Sequence, residues 1–174
     1  MKKKINKNRK KMSWNDYITS KLLNVQDSNG HILVNAVEEA AIIGNTDGAI
    51  WASTQGFTIG TVTVEVEGKG KIQMNEFINI ADAFAHNGDC TKDGGIRLNG
   101  VKYFMINFDA DKKTMYLKRQ GGGAVVALTN MSYVIGTFNT EKMMTKDNVQ
   151  ENQNNGYCAK VVEELAALLI SMNY

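Results

Sequence analysis

A chain of 174 residues can bury a sizeable core within one domain, and 43% hydrophobic with 22% charged residues excludes a disordered or fibrous composition. No apolar run approaches the roughly 18 residues of a membrane span, and residues 1–11, MKKKINKNRKK, lack the apolar segment of a secretory signal. The net charge of +2 averages two unlike parts: residues 1–11 hold seven of the 20 basic residues and none of the 18 acidic ones, which leaves residues 12–174 with 13 basic against 18 acidic groups, an excess that argues against a nucleic-acid-binding core.

The division this suggests is a basic, disordered leader over 1–11 and a single domain over 12–174. A weak anchor on anionic lipid is the alternative reading of the leader, and Met12 is an alternative start. Ser13, with Asp16 three residues on, reads as the capping box of a helix running to about Leu23. Residues 24–36 are polar and irregular around the turn signal Asn29-Gly30, although Ile32 to Val37 could extend a strand. Ala40–Gly44 and Ala49–Ser53 form a hairpin across Asn45-Thr46-Asp47-Gly48. Thr61 to Glu67 alternates with a period of two, turns at Gly68-Lys69-Gly70, and can return over Lys71 to Met74. Asn75 caps a second helix with Phe77, Ile78, Ala81 and Phe84 on one side, and residues 87–95 form a loop.

Five strands follow: Gly95–Leu98, Val101–Phe108, Thr114–Arg119, Ala124–Thr129 and Ser132–Phe138. Their short connections require antiparallel neighbours. Residues 145–156, TKDNVQENQNNG, read as a polar loop before a last helix, VVEELAALLISMNY. There Val161, Leu165, Leu168 and Met172 make a stripe that Val162 and Leu169 widen. The chain contains no proline, so its turns rest on Gly, Asn and Asp. Cys90 and Cys158 have no CxxC spacing and point to a reducing compartment. The predicted fold is α+β: a central antiparallel sheet with the N- and C-terminal helices on one face and a shorter helix on the other.

These residues resemble the profilin family. The resemblance rests on Ser13-Trp14 with Tyr17, on Ala41-Ile42-Ile43-Gly44 with Asp47-Gly48 and Ile50-Trp51-Ala52-Ser53, and on Ile96-Arg97-Leu98-Asn99-Gly100-Val101-Lys102-Tyr103. Lys118-Arg119 before Gly121-Gly122, Val134-Ile135-Gly136 and Val161-Val162-Glu163-Glu164-Leu165 complete it. The departures are a longer stretch at 26–38, an apparent hairpin insertion over 61–73, and a polar insertion before Tyr157. The resemblance implies a non-enzymatic, cytoplasmic, cytoskeleton-associated adaptor without a cofactor. Its partners would be monomeric actin and proline-rich proteins such as formin-type nucleators, and it would regulate filament assembly as a monomer that binds no nucleic acid. Anionic phosphoinositide lipids are a further candidate partner.

A proline-rich ligand in the polyproline II conformation docks on aromatic rings whose N–H and O–H groups reach its carbonyls. Trp14, Tyr17, Trp51 and Tyr174 supply that chemistry, and the resemblance adds Leu168 and Leu169. The competing reading makes these aromatics core. The resemblance also assigns Lys102, Lys118, Arg119 and Lys160 to an actin-binding face; the competing reading is a solvated sheet edge kept soluble by its lysines. Gly121-Gly122-Gly123 lacks the ending of a phosphate loop and reads as a turn. His31 and His86 have no ligand spacing, so no metal site is expected. The adjacent acids Glu38-Glu39 and Glu163-Glu164 read as solvated. A proline-ligand module without actin binding, and a phosphoinositide regulator using residues 2–11 with the basic sheet, stay open as alternatives.

Overall fold

The computed structural model describes residues 12–89 and 95–174. The basic leader, Cys90 and most of the expected 87–95 loop lie outside them. Ser13 caps a short helix, α1 (Trp14–Tyr17): its hydroxyl accepts the Asp16 N–H at 3.1 Å, and the Asp16 carboxylate accepts the Ser13 N–H at 2.8 Å. The chain then widens into a π-helical turn, Ile18–Leu23. Thr19 and Ser20 donate their hydroxyls to the Asn15 and Asp16 carbonyls at 3.1 and 2.7 Å. Those carbonyls are the acceptors an α-helix reserves for backbone N–H groups, so the backbone ladder shifts to the longer spacing.

The strands in chain order are β1 (Asn24–Gln26), β2 (Ile32–Val34), β3 (Ala40–Gly44), β4 (Ile50–Ser53), β5 (Thr61–Val66) and β6 (Gly70–Asn75). After helix α2 (Glu76–Ala85) come β7 (Ile96–Leu98), β8 (Val101–Asp109), β9 (Thr114–Arg119), β10 (Gly122–Leu128), β11 (Ser132–Asn139), β12 (Met143–Lys146) and β13 (Val149–Asn152), and then helix α3 (Asn155–Ser171). Seven of these strands form the main antiparallel sheet, in the order β4-β3-β11-β10-β9-β8-β7. Its central strands are apolar on both faces because both are covered. Ile42, Val125 and Val134 pack under α1, the π-helical turn and α3, whereas Ile43, Val126 and Ile135 pack against Ile80, Ala83 and Phe84 of α2. The α+β arrangement is therefore the predicted one. Of the three glycines expected in a turn only Gly121 lies in it, and Gly122 and Gly123 belong to β10. A Cβ on them would stand 2.2 Å from the Phe138 carbonyl oxygen and 2.4 Å from that of Leu117.

Four local expectations change. Residues 145–156 are not a loop. They hold the end of β12, all of β13 and the start of α3, the two strands being joined through Asp147 and Asn148 at φ 47° and 70°, the left-handed pair that a tight hairpin turn requires. The last helix consequently starts six residues earlier than Val161, at Asn155, where the Asn154 side chain accepts the Tyr157 N–H at 3.2 Å. Residues 24–36 hold the hairpin β1-β2, and β2 pairs with β12, so two segments far apart in sequence make one sheet of order β1-β2-β12-β13. Finally, α2 buries Glu76, Ile80, Ala83 and Phe84, and leaves Ile78 59% exposed. The cause is Glu76, whose carboxylate accepts the backbone N–H groups of Gly60 at 3.0 Å and Gly100 at 2.7 Å, which turns that side of the helix inward.

Candidate functional site

The capping box sets Trp14 at the first turn of α1, beside the edge strand β4. Its ring lies 4.7 Å from that of Trp51 and 5.7 Å from that of Tyr17, both tilted, and 5.1 Å from that of Tyr174 in an edge-on arrangement. These spacings suit favourable aromatic contacts. Trp51 sits against Gly44, where a Cβ would come within 3.3 Å of the indole nitrogen and 2.4 Å of Asp47 Oδ1. Tyr174 is held by its backbone: its N–H donates to Leu169 O at 2.9 Å and its oxygen accepts from Asn130 N at 3.0 Å. The rings of Trp14, Trp51 and Tyr174 rest half-buried on the core below. Neither indole N–H has an acceptor among the described residues, and neither nitrogen is a buried orphan.

Two predicted floor residues sit deeper. Tyr17 is only 8% exposed, and its hydroxyl points to Met172 Sδ at 3.7 Å. Leu169 is 0% exposed, so it supports the floor from beneath and offers a ligand no surface. Burial on α3 falls on Cys158, Val161, Val162, Leu165, Ala166 and Leu169, which turns Leu168 and Met172 outward from the expected stripe. Leu168 lines a groove of about 350 Å³ between α3 and the π-helical turn, together with Lys21 and Val25.

The four predicted basic residues divide into two pairs. Lys102 on β8 and Lys118 on β9 are exposed, and Lys118 stands opposite Phe104 across the strand pair. Lys102 Nζ lies 5.1 Å from the centre of the Phe104 ring. Phe104 and Ile106, exposed by 63% and 58%, extend this surface toward a groove of about 380 Å³ bordered by Lys118, Phe138 and Asn155. Arg119 borders the same groove, but its guanidinium is bound to Glu38 at 3.0 Å, and Glu38 also takes Lys142 at 2.9 Å. Lys160 is bound to the buried carboxylate of Asp27 at 2.6 Å, fastening the β1-β2 turn to α3. Sequence reading missed Phe104 and Ile106 because Val101–Phe108 is apolar at both parities, so alternation could not say which side is covered.

The acid pairs expected in solvent are engaged. Burial pushes the Glu38 carboxyl up, but Lys142, Asn139 and Arg119 outweigh it and hold the group below the usual carboxylate range. Glu39 accepts from Asn99 at 3.1 Å, and Glu164 from the Ser28 hydroxyl at 2.6 Å. Glu163 accepts from Lys112 at 2.9 Å and from the Tyr116 hydroxyl, whose pKa is raised by burial and by that carboxylate. Among the described residues no group of three His, Cys, Asp or Glu side chains could hold a metal ion, and no helix is long and apolar enough to cross a membrane.

The family model for profilin matches residues 12–174. Among curated proteins, profilin of Tetrahymena pyriformis is 42% identical over 144 residues, covering 79% of this chain and 90% of that protein. Profilin-A of Physarum polycephalum is 31% identical over 163 residues, covering 94% and 100%. Among solved structures, Acanthamoeba castellanii profilins IA and IB each superpose with a TM-score of 0.61 at 27% identity, over 93% of this chain and 100% of theirs.

Proposed function

The chain belongs to the profilin family, whose members are non-enzymatic actin-binding proteins, and from that premise we propose that it acts as a cytoplasmic, monomeric adaptor in filament assembly. It binds monomeric actin through Lys102, Lys118 and the exposed apolar side chains beside them. It binds proline-rich segments, such as those of formin-type nucleators, on the floor of Trp14, Trp51 and Tyr174, with the buried Tyr17 ring packed against Trp14. The observation that carries the proline reading is the ring cluster centred on Trp14, with two indole N–H donors that have no acceptor among the described residues. A ligand without internal hydrogen bonds presents carbonyls for such donors and loses little conformational freedom on binding.

The test is capture of the protein on oligoproline and, separately, on monomeric actin. Both should succeed; failure on oligoproline with an intact near-ultraviolet spectrum would make the aromatics plain core. A lipid-binding reading is favoured by one specific feature, the seven cations of residues 2–11 beside an otherwise acidic chain. Each basic group near an anionic surface contributes on the order of 1 kcal/mol at low salt. Deleting residues 1–11 should therefore lower sedimentation with phosphoinositide vesicles and leave the melting temperature unchanged. Unaltered sedimentation would rule that reading out.

A further inference from the structure

The Tyr174 ring stands edge-on to Trp14, and beside its bond to the Leu169 carbonyl its backbone is anchored by a chain of polar contacts that leads away from the floor. The first link is Asn130, whose backbone N–H donates to the Tyr174 backbone oxygen at 3.0 Å. Asn130 lies in the turn between β10 and β11, and this turn is stiffened from within. The buried Thr129 hydroxyl accepts the Ser132 N–H at 2.9 Å and meets the Ser132 hydroxyl at 2.9 Å, while the Thr129 N–H donates to Ser132 O at 2.8 Å. The second link is Asn45, immediately after β3. Its side-chain amide donates to Asn130 O at 3.1 Å and to Thr129 O at 3.4 Å, and its backbone N–H donates to Met131 O at 3.0 Å. Asn45 thus takes up the carbonyls on either side of the Asn130 N–H and fixes where that N–H points.

We infer that Asn45 is a positioning residue for the aromatic floor, acting through Asn130 to hold the Tyr174 ring edge-on to Trp14. The inference rests on the floor being the proline-ligand site. Asn45→Asp keeps the shape but sets a carboxylate against two carbonyls; Asn45→Ala removes the donors with less disturbance. Either variant should bind oligoproline on the order of fivefold more weakly, as the loss of an orienting hydrogen bond implies.

The decisive measurement is a double-mutant cycle with Tyr174→Ala. In that background the Asn45 substitutions should have no further effect on oligoproline affinity. The near-ultraviolet circular dichroism of each Asn45 variant should also move toward that of Tyr174→Ala, with the far-ultraviolet spectrum unchanged. Additive losses, or a folded Asn45→Ala with wild-type affinity and spectrum, would overturn the inference. If wild type ignores oligoproline, the functional reading of the floor fails, and the spectra alone then decide whether Asn45 positions Tyr174.

Discussion

Trp14 touches three other aromatic rings and Leu169 lies directly beneath the surface they form, and the two should respond to truncation in opposite ways. An aromatic anchor at the centre of a contact typically contributes roughly 2 kcal/mol or more. Trp14→Ala should weaken oligoproline binding by about thirtyfold on that scale, while the melting temperature falls only modestly because the ring is half-exposed. Leu169→Ala should cost about 2–5 kcal/mol of stability, as fully buried leucines do, and leave the affinity of the remaining folded molecules near wild type. Fluorescence titration and a thermal melt on the same samples separate the two; equal losses of affinity would return Leu169 to the contact surface. That Trp14, Tyr17, Trp51 and Tyr174 come together could be expected from the sequence, because Trp14 and Tyr174 stand at element ends and the family resemblance groups all four, and the rings do cluster around Trp14. The depth of Leu169 could not be, because neighbouring leucines on a helix differ by about 100° of rotation, and only the sheet beneath α3 decides which of them points inward.

The small sheet β1-β2-β12-β13 was the least legible element and has the clearest polar supports. Its strands are only three or four residues long, and apart from Ile32–Val34 they mix polar and apolar residues, so hydrophobic periodicity gave little signal. Val25, Leu33 and Met144 fix it to the core, and polar contacts between distant residues add to that anchorage. Asp147 accepts from Ile32 N at 2.9 Å and meets His31 Nδ1 at 2.5 Å, Asp27 pairs with Lys160, and Ser28 with Glu164. The backbone N–H of Ile32 and the side chain of His31 hold the Asp147 carboxyl below its ordinary value. Burial pushes the Asp27 carboxyl up, but Lys160 and the N–H groups of His31 and Asn29 outweigh it, so its pKa is also lowered. A carboxyl with a depressed folded-state pKa contributes stability that is present above its unfolded value, about 4, and is lost as pH falls through the folded value. Thermal stability should therefore drop as the solution is acidified below that point, and Asp27→Asn should flatten the decline. Lys160→Ala should lower the melting temperature at neutral pH by several degrees, more than Lys102→Ala, because it strips a buried carboxylate of its counter-charge. Similar melts for the two lysine variants would mean that the Asp27–Lys160 pair does not fasten the hairpin. The main sheet, in contrast, was readable strand by strand from short apolar runs separated by Gly- or Asn-bearing turns, since helices cover both of its faces and its central strands are buried throughout.

Across the whole molecule the aromatic floor and the basic sheet face are built from different elements. The floor uses α1, β4 and the end of α3, whereas the basic face uses β8, β9 and the groove near the start of α3. That separation allows one ligand site to be disabled without the other, provided the substitutions avoid residues that also hold the fold. Arg119 fails that condition, because reversing it would remove a counter-charge from Glu38 and set a second carboxylate against it, leaving Lys142 to neutralise both. Lys102 and Lys118 meet it, being exposed and without an ion-pair partner among the described residues. Reversing both to glutamate changes the net charge by −4 within one patch of a chain whose residues 12–174 already carry more acid than base. Charge at the rim of an interface acts mainly on the encounter rate, and salt screens it. The double variant Lys102→Glu, Lys118→Glu should therefore associate with monomeric actin several-fold more slowly at low ionic strength, with a smaller difference at high salt. Its dissociation rate, melting temperature and oligoproline affinity should remain close to wild type. Stopped-flow association at two salt concentrations, with an oligoproline titration as the control, tests each part. An unchanged association rate would remove the lysines from the actin face, and a parallel loss of oligoproline binding would show that the two surfaces are not independent.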